Sequence, residues 1–497
     1  MGDMSASAGL PGLFAWVSKA VRVGCLIGVL GMQSSAWAQA PDRSQDQTQN
    51  QTHNQAPFRL ETAVNAPDWL TLRGETRMRY ETLDGQFRAG GSGGDQLLLF
   101  RSLLLVEADT GPVSFGIELQ DSRTYLGDAD TPLSSSFTNP LDVLQLYARM
   151  DALPGLLGQG SDSQLVLGRQ TVSIGSKRQI ERVSYANVIK SFTGAHWTHE
   201  ATRGDQLHLV YVVPTGRFPD IRADLDANRL SGDEEQWGRR IWGVHYRRPD
   251  ILPGMVSDLW GELFAYGLNE RDTSDVPTPN RSYVAPGARL YRKPIAGRWD
   301  LDVEGALRQG RRRATSDPGD TQPLDVNAAM LIAVLGYVFD APWQPRLSLE
   351  YYFASGDDDP NDLDFDQHER LFGGRRTDLN NTSIYGPLTP ANLSALGFRV
   401  QVTPNARWDG WFQYHAASLA SDTDQWVIAR LRDPSGQSGD FIGHTLDARA
   451  RYWLVPDNLR LELGASALIY GGFTKDVPDG PDGDVTLFGY AQATISF

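Results

Sequence analysis

The strongest constraint on this chain is a strict alternation at its C-terminal end. From Val485 to Phe497, the odd positions carry apolar or small residues, and most even positions are polar. A period of two describes a strand with one apolar face and one wet face. Chain ends normally fray, so a regular strand that runs to Phe497 indicates that its edge is paired. We therefore expect this strand to close a sheet on itself.

Composition narrows the ways in which such a sheet can close. The 497 residues are 40% hydrophobic and 22% charged, with a mean hydropathy of -0.37. Apart from the N-terminus, the chain contains no run of about 20 apolar residues, which a membrane-spanning helix needs. A transmembrane β-barrel needs only about ten alternating residues per span and keeps a polar interior. The composition therefore excludes a helical membrane protein and fits an all-β transmembrane barrel.

The N-terminus predicts export from the cytoplasm. Lys19 and Arg22 precede the apolar run 23–32, and Ala-Trp-Ala follows at 36–38. This is the pattern of a Sec-type signal peptide, which we assign to residues 1–38. Residues 39–66, rich in Gln and Asn at their start, are predicted to be a disordered tether. Cys25 is the only cysteine and lies in the predicted signal peptide, so we expect a mature chain without disulfides.

The remaining residues, 67–497, predict the barrel itself. From Trp69 onward, about eighteen segments alternate with a period of two, joined by eight short and nine long connections in turn. Bacterial barrels have short periplasmic turns and long outer loops in this order, so we predict about eighteen antiparallel strands, with sixteen as the alternative. A barrel of this size encloses a water-filled lumen rather than a packed core. The long connection at 355–391 is a candidate for a loop that folds inward.

Arginine dominates the cations, with 41 Arg against 5 Lys. Many arginines have the parity opposite to the apolar face, and arginine binds carboxylates through two parallel hydrogen bonds. The residues predicted to line the pore and bind an anionic solute are Arg77, Arg79, Arg101, Arg149, Arg169, Arg399, Arg449 and Arg451. Carboxylates such as Glu75 and Glu350 share these faces, so the alternative is a ladder of ion pairs that only stiffens the wall.

The sequence does not predict an enzyme or a cofactor. On a strand, His196 and His199 point to opposite faces and cannot share a zinc ion. The outer loop from Asp357 resembles the start of a calcium loop, but Asp362 replaces the turn glycine and His368 replaces the bidentate glutamate. We therefore expect no cofactor, with loosely bound calcium in the outer loops as the alternative.

Four stretches of the chain carry a resemblance to known proteins: Leu119–Tyr125, Leu167–Gln170, Gly175–Arg178 and Asn187–Gly194. They resemble the alginate-export family of outer-membrane proteins, and the similarity runs from about residue 70 to 497. The resemblance implies an eighteen-stranded barrel that passes an anionic polyuronate through an arginine-rich constriction. The arginines of that constriction would correspond to Arg101, Arg169, Arg399, Arg449 and Arg451.

Three functions follow from these patterns. The first is an anion-selective channel that exports an acidic, alginate-like polysaccharide by passive diffusion. The second is a general or uptake porin for small carboxylates, and the third is a structural or adhesive barrel. In each case we expect the outer membrane of a Gram-negative bacterium. The expected partners are membrane lipid, lipopolysaccharide and the barrel-assembly machinery, without nucleic acid.

Overall fold

Eighteen antiparallel strands form a closed barrel in the computed structural model, which describes residues 57–151, 161–274, 276–374 and 378–497. The β-segments are β1 Leu70–Asp84, β2 Gly94–Asp109, β3 Val113–Tyr125, β4 Asn139–Met150, β5 Asp162–Gln170, β6 Phe192–Glu200, β7 Gln206–Gly216, β8 Glu234–Glu235, β9 Arg239–Arg248, β10 Leu259–Glu270, β11 Ser282–Arg292, β12 Arg298–Arg313, β13 Pro323–Val338, β14 Arg346–Ala354, β15 Asp364–Phe365, β16 Leu393–Asn405, β17 Trp408–Ser418, β18 Phe441–Val455, β19 Leu459–Tyr470 and β20 Val485–Ser496. The two-residue segments β8 and β15 pair only with β7 and β13 and lie outside the barrel circuit. The predicted strand number is confirmed.

Helix is scarce in the described residues. The short helices are α1 Leu60–Ala63, α2 Arg222–Asp226 and α3 Gly472–Asp476. In the part of the chain that the structure describes, no helix has the length and apolar character needed to cross a membrane.

The predicted N-terminal segments fall mainly on residues 1–56, which lie outside the described residues. The predicted signal peptide at 1–38 and most of the predicted tether at 39–66 therefore stay predictions. The last part of that tether differs from the prediction, because it contains α1. Its Phe58 N–H donates to Asn458 Oδ1 at 3.2 Å, and Asn458 Nδ2 donates back to the Phe58 carbonyl at 3.3 Å. These contacts attach the segment to the turn before β19.

The predicted closure through the terminal strand is confirmed. β20 pairs in antiparallel register with β1 from Glu75 opposite Ser496 to Asp84 opposite Leu487, and with β19 on its other side. Both edges of the sheet are thereby paired, which removes the exposed donors and acceptors that an open sheet would leave in lipid. The short and long connections also alternate as expected, from 110–112 after β2 to 471–484 before β20.

The two faces of each strand differ sharply in polarity and exposure. On β14, the inward Ser348 and Glu350 are 1% and 2% exposed, whereas the outward Leu347 and Leu349 are 48% and 59% exposed. Apolar side chains on the outer face meet the hydrocarbon of the membrane, and polar groups are kept for the interior. On β20, likewise, Thr494 is buried and the adjacent Ile495 is exposed.

The lumen is narrower than we expected for a barrel of eighteen strands. Two outer connections fold into it: segment A, residues 171–191 between β5 and β6, and segment B, the described residues 366–374 and 378–392 between β14 and β16. Apolar side chains of the two segments are buried against inward side chains of the wall. The buried side chains of the segments include Ile174, Ile180, Leu379, Ile384, Tyr385 and Leu388. The expectation of a water-filled lumen without a packed core is therefore wrong at this level of the barrel. Inward folding near 355–391 is confirmed, whereas that of segment A was not predicted.

Candidate functional site

Arginines of the first two strands hold segment A in the lumen. Arg77 donates to the carbonyls of Tyr185 at 2.8 Å and Ala186 at 2.9 Å. Arg101 donates to the carbonyls of Ser184 and Ala186, both at 2.7 Å. A turn inside a barrel has no strand partner for its carbonyl groups, so these guanidiniums supply the donors that buried carbonyls require. The position of segment A thus depends on the inward arginines of β1 and β2.

Segment B is attached to the other side of the lumen. The N–H of Asn381 donates to Asp447 at 3.1 Å, and its side-chain amide donates to Ser466 at 3.0 Å. Arg88, in the connection after β1, donates to the carbonyls of Ile384 at 2.8 Å and Tyr385 at 2.7 Å. Segment B therefore contacts β18, β19 and the start of the barrel circuit.

A cavity of about 660 Å³ remains between the two segments and the wall. Its volume lies within the range of small-molecule binding sites. Cations dominate its lining, which contains the basic residues Arg79, Arg88, Lys190, Arg217, Arg370, Arg399, Arg430, Arg449 and Arg451. Among the described residues that line it, Glu181 is the one carboxylate. The described lining therefore carries an excess of positive charge, part of which is balanced by the wall carboxylates Glu81, Glu350 and Asp409.

The lining also contains an aromatic ring between two of these cations. The guanidinium carbons of Arg399 and Arg449 lie 5.5 and 5.4 Å from the centre of the Trp411 ring. Arg399 also pairs with Glu350 at 3.2 Å, and Arg451 pairs with Asp409 at 2.9 Å. An indole face beside guanidinium groups offers both an apolar surface and charged hydrogen-bond donors. This part of the wall can contact a ring that carries a carboxylate.

The eight arginines predicted from strand parity divide into three groups. Arg79, Arg399, Arg449 and Arg451 line the cavity. Arg77 and Arg101 lie beneath segment A, each 3% exposed. Arg149 pairs with Glu107 at 2.6 Å, and Arg169 pairs with Asp142 at 3.3 Å. The sharing of inward faces by arginines and carboxylates thus produces ion pairs in the wall, and solute binding by all eight stays a prediction.

Five lining cations were not predicted, because they lie on connections rather than on barrel strands. They are Arg88, Lys190, Arg217, Arg370 and Arg430. Strand parity gives no information about such residues. The available signal was the apolar character of the connections themselves, since Ile180 and Ile384 would be unusual in a fully solvated loop.

His196 and His199 were weighed above as zinc ligands, and the structure gives them separate hydrogen-bond partners. His196 Nε2 lies 3.1 Å from His208 Nδ1, whereas His199 Nδ1 lies 2.8 Å from the Ser163 hydroxyl. The two histidines of β6 therefore have separate partners, in agreement with their predicted opposite faces. Within the described ranges, no group of three or more His, Cys, Asp or Glu side chains is arranged to hold a metal ion. In the outer loop whose start resembles a calcium loop, the N–H of Asp357 donates to the Asp424 carboxylate at 2.9 Å.

Comparison with known sequences identifies the family. The sequence profile described as alginate export matches residues 68–486, which include nearly the whole barrel. The chain belongs to the alginate-export family. The profile covers all of the strands up to the start of β20, so the family assignment and the barrel describe the same part of the chain. The protein is an outer-membrane barrel channel of a Gram-negative bacterium.

Solved structures share the fold of this family member at low sequence identity. OccK9 (OpdG) of Pseudomonas aeruginosa is 13% identical with a TM-score of 0.55, and the match covers 86% of this chain and 98% of that one. OccK2 (OpdF) of the same species, crystallised in complex with glucuronate, is 12% identical with a TM-score of 0.53, and the match covers 86% and 98%. OccAB3 of Acinetobacter baumannii is 11% identical with a TM-score of 0.53, and the match covers 86% and 99%. No curated protein matches the sequence.

Proposed function

We propose that this family member is an anion-selective channel whose solute is an acidic, alginate-like polysaccharide that diffuses outward. The observation that carries the proposal is the lining of the cavity, whose described residues include nine cations and one carboxylate. A permeating polyuronate presents a carboxylate on each sugar, and guanidinium groups bind carboxylates at two points. Several weak sites in succession suit conduction, because a single tight site would retain the solute.

The neighbouring ion pairs moderate this affinity. Glu350 contacts Arg399 at 3.2 Å, and Asp409 contacts Arg449 at 3.4 Å and Arg451 at 2.9 Å. A solute carboxylate must compete with these fixed carboxylates for the same donors. Each guanidinium therefore binds the solute less tightly than an isolated one would, which favours release to the next site.

A second function, uptake of small carboxylates, is favoured by two observations. Segments A and B leave a cavity of about 660 Å³, a size suited to a single small solute. In addition, OccK2, which has a similar fold, was crystallised with glucuronate, a small carboxylate sugar. The same arginines would serve this solute, with flow in the opposite direction.

Planar bilayer recordings distinguish these proposals. The reversal potential of the reconstituted protein under a salt gradient should show a preference for anions, whereas a preference for cations would overturn both. Glucuronate, oligouronates and neutral glucose are then added separately to either side. Current block by oligouronates supports export of a polymer, and block by glucuronate alone supports uptake of small carboxylates. Glucose is the uncharged control and should leave the current unchanged.

A further inference from the structure

A second charged cluster lies where segments A and B meet the wall. Arg178 of segment A, with a side chain that is 7% exposed, forms ion pairs with Asp302 at 2.9 Å and Glu304 at 2.8 Å on β12. The same guanidinium binds Asp378 of segment B through two hydrogen bonds of 2.9 Å. One side chain thus joins both inward segments to a single strand of the barrel.

The backbones of the two segments also cross at this point. Phe372 N–H donates to the Gln179 carbonyl at 2.9 Å, and Ile180 and Phe372 form a parallel β-bridge. A Cβ atom added at Gly373 would collide with the carbonyl of Arg178. Only glycine allows the two chains to approach so closely. Segments A and B therefore behave as one unit around Arg178.

The carboxylates of the cluster differ in whether they have a second cationic partner besides Arg178. On the wall, Asp302 also pairs with Arg289 at 2.6 Å, so it keeps a cationic partner on a neighbouring strand. Asp378, with a side chain that is 14% exposed, is paired with Arg178 in the described structure. Without Arg178, Asp378 would face Asp302 and the buried Glu304 as a third carboxylate, with no other ion-pair partner among the described residues. Removing one partner of a buried ion pair is strongly unfavourable, and here it would drive segment B away from β12.

Asp378 also connects the cluster to the anion cavity. Its backbone carbonyl accepts a hydrogen bond of 2.5 Å from Arg399, one of the cations that line the cavity. The side chain and the backbone of this residue thus contact Arg178 and Arg399 respectively. A movement of Asp378 would change both the position of segment B and the environment of Arg399.

We propose that Arg178 is a positioning residue that clamps segment B to β12 and thereby sets the width of the lumen and the placement of Arg399. The role of this clamp in transport rests on the proposed channel function. Arg178 is not part of the cavity lining. Its loss should therefore widen the passage and, by displacing Arg399, lower the preference for anions without abolishing it, because Arg178 itself is not one of the lining cations.

The first test measures segment B directly and does not require conduction. Leu379, 3% exposed and adjacent to Asp378, is replaced by Cys in a mature chain whose own cysteine, Cys25, is removed with the predicted signal peptide. The rate of labelling by a polar maleimide is compared with and without Arg178→Gln. We expect the rate to rise by at least about tenfold, because loss of a buried ion pair shifts the local opening equilibrium. Equal labelling rates in folded barrels with and without Arg178→Gln would overturn the proposal that Arg178 clamps segment B.

The second test records single channels of Arg178→Gln. A larger conductance with frequent closures and a reversal potential that still shows a preference for anions, smaller than that of the wild type, supports the clamp, whereas wild-type conductance contradicts it. Arg289→Gln is the matched control, since Arg289 contacts Asp302 but its ion pairs are to wall residues rather than to segment B. If Arg178→Gln fails to fold, Asp378→Asn and Arg178→Lys provide milder changes of the same pair. A wild-type channel without anion preference refutes the proposed function, while the labelling result still decides the clamp.

Discussion

Gly74 and Phe497 exchange both of their backbone hydrogen bonds. Gly74 N–H donates to the Phe497 carbonyl at 2.6 Å, and Phe497 N–H donates back to the Gly74 carbonyl at 2.8 Å. The Phe497 ring lies against Gly74, where an added Cβ atom would collide with it. An aromatic side chain that covers a glycine on the adjacent strand fixes the register of a sheet. This pair therefore adds to the register pairs from Glu75 opposite Ser496 to Asp84 opposite Leu487 that join β20 to β1.

Replacement of Phe497 by Ala should weaken closure of the barrel. We expect the free energy of unfolding to fall by about 2 kcal/mol, because the ring that covers Gly74 is lost. Urea unfolding in micelles, followed by the heat-dependent mobility of the barrel on gels, measures this change. Ile495→Ala is the control, since Ile495 lies on the same strand but is 41% exposed toward lipid. An equal effect of both substitutions would contradict a special role for the pair.

Asn187 should be a stability determinant of segment A. It is 3% exposed, donates to the carbonyls of Phe137 at 2.7 Å and Phe100 at 3.1 Å, and accepts from Arg77 at 3.2 Å. Asn187→Ala leaves these buried groups without partners, so we expect a loss of about 1–3 kcal/mol. Thermal unfolding followed by circular dichroism gives the value.

The control for Asn187 is the exposed amide of Asn269, which also accepts a hydrogen bond of 3.2 Å from the Trp242 ring N–H. Asn269 donates to the Ser282 hydroxyl at 2.9 Å on the surface. Asn269→Ala should change stability by less than about 0.5 kcal/mol. Comparable losses in both variants would show that the buried contacts of Asn187 are not special.

The wall of this barrel was predictable from sequence, whereas the contents of its lumen were not. Alternation fixes which side of a strand Arg449 and Arg451 occupy, and both do face the cavity. Alternation says nothing about where a long connection goes. Segment A is held by its own carbonyls, such as that of Tyr185, and backbone acceptors leave no mark in a sequence. The resemblance at Asn187–Gly194 marked this segment as distinctive without indicating that it folds inward.

The preference for anions should depend on the charge of Arg449 and Arg451. The double replacement of these residues by Gln removes two of the nine cations in the described lining and retains much of their size. We expect the ratio of anion to cation permeability to fall roughly threefold, because the potential in the cavity becomes less positive. Reversal potentials in a salt gradient measure the ratio. Arg311→Gln, at a site that is 73% exposed and paired with Asp325, is the control and should have no effect. An unchanged ratio in the double variant would limit these arginines to wall ion pairs.

Glu181 should make the channel sensitive to pH. This carboxylate belongs to segment A, and burial raises its pKa above the usual 4.5, while Lys177, Lys190 and Arg370 oppose that change and Asp378 adds to it. Because the pKa is raised, protonation begins at a higher pH than for an exposed glutamate, and the cavity then loses its carboxylate. Anion preference should therefore increase as the pH falls through this pKa. Glu181→Gln should show the increased preference at neutral pH and a flatter pH profile in reversal-potential measurements. If the variant keeps the wild-type pH profile, another group is responsible, and Glu181 does not control the charge of the cavity.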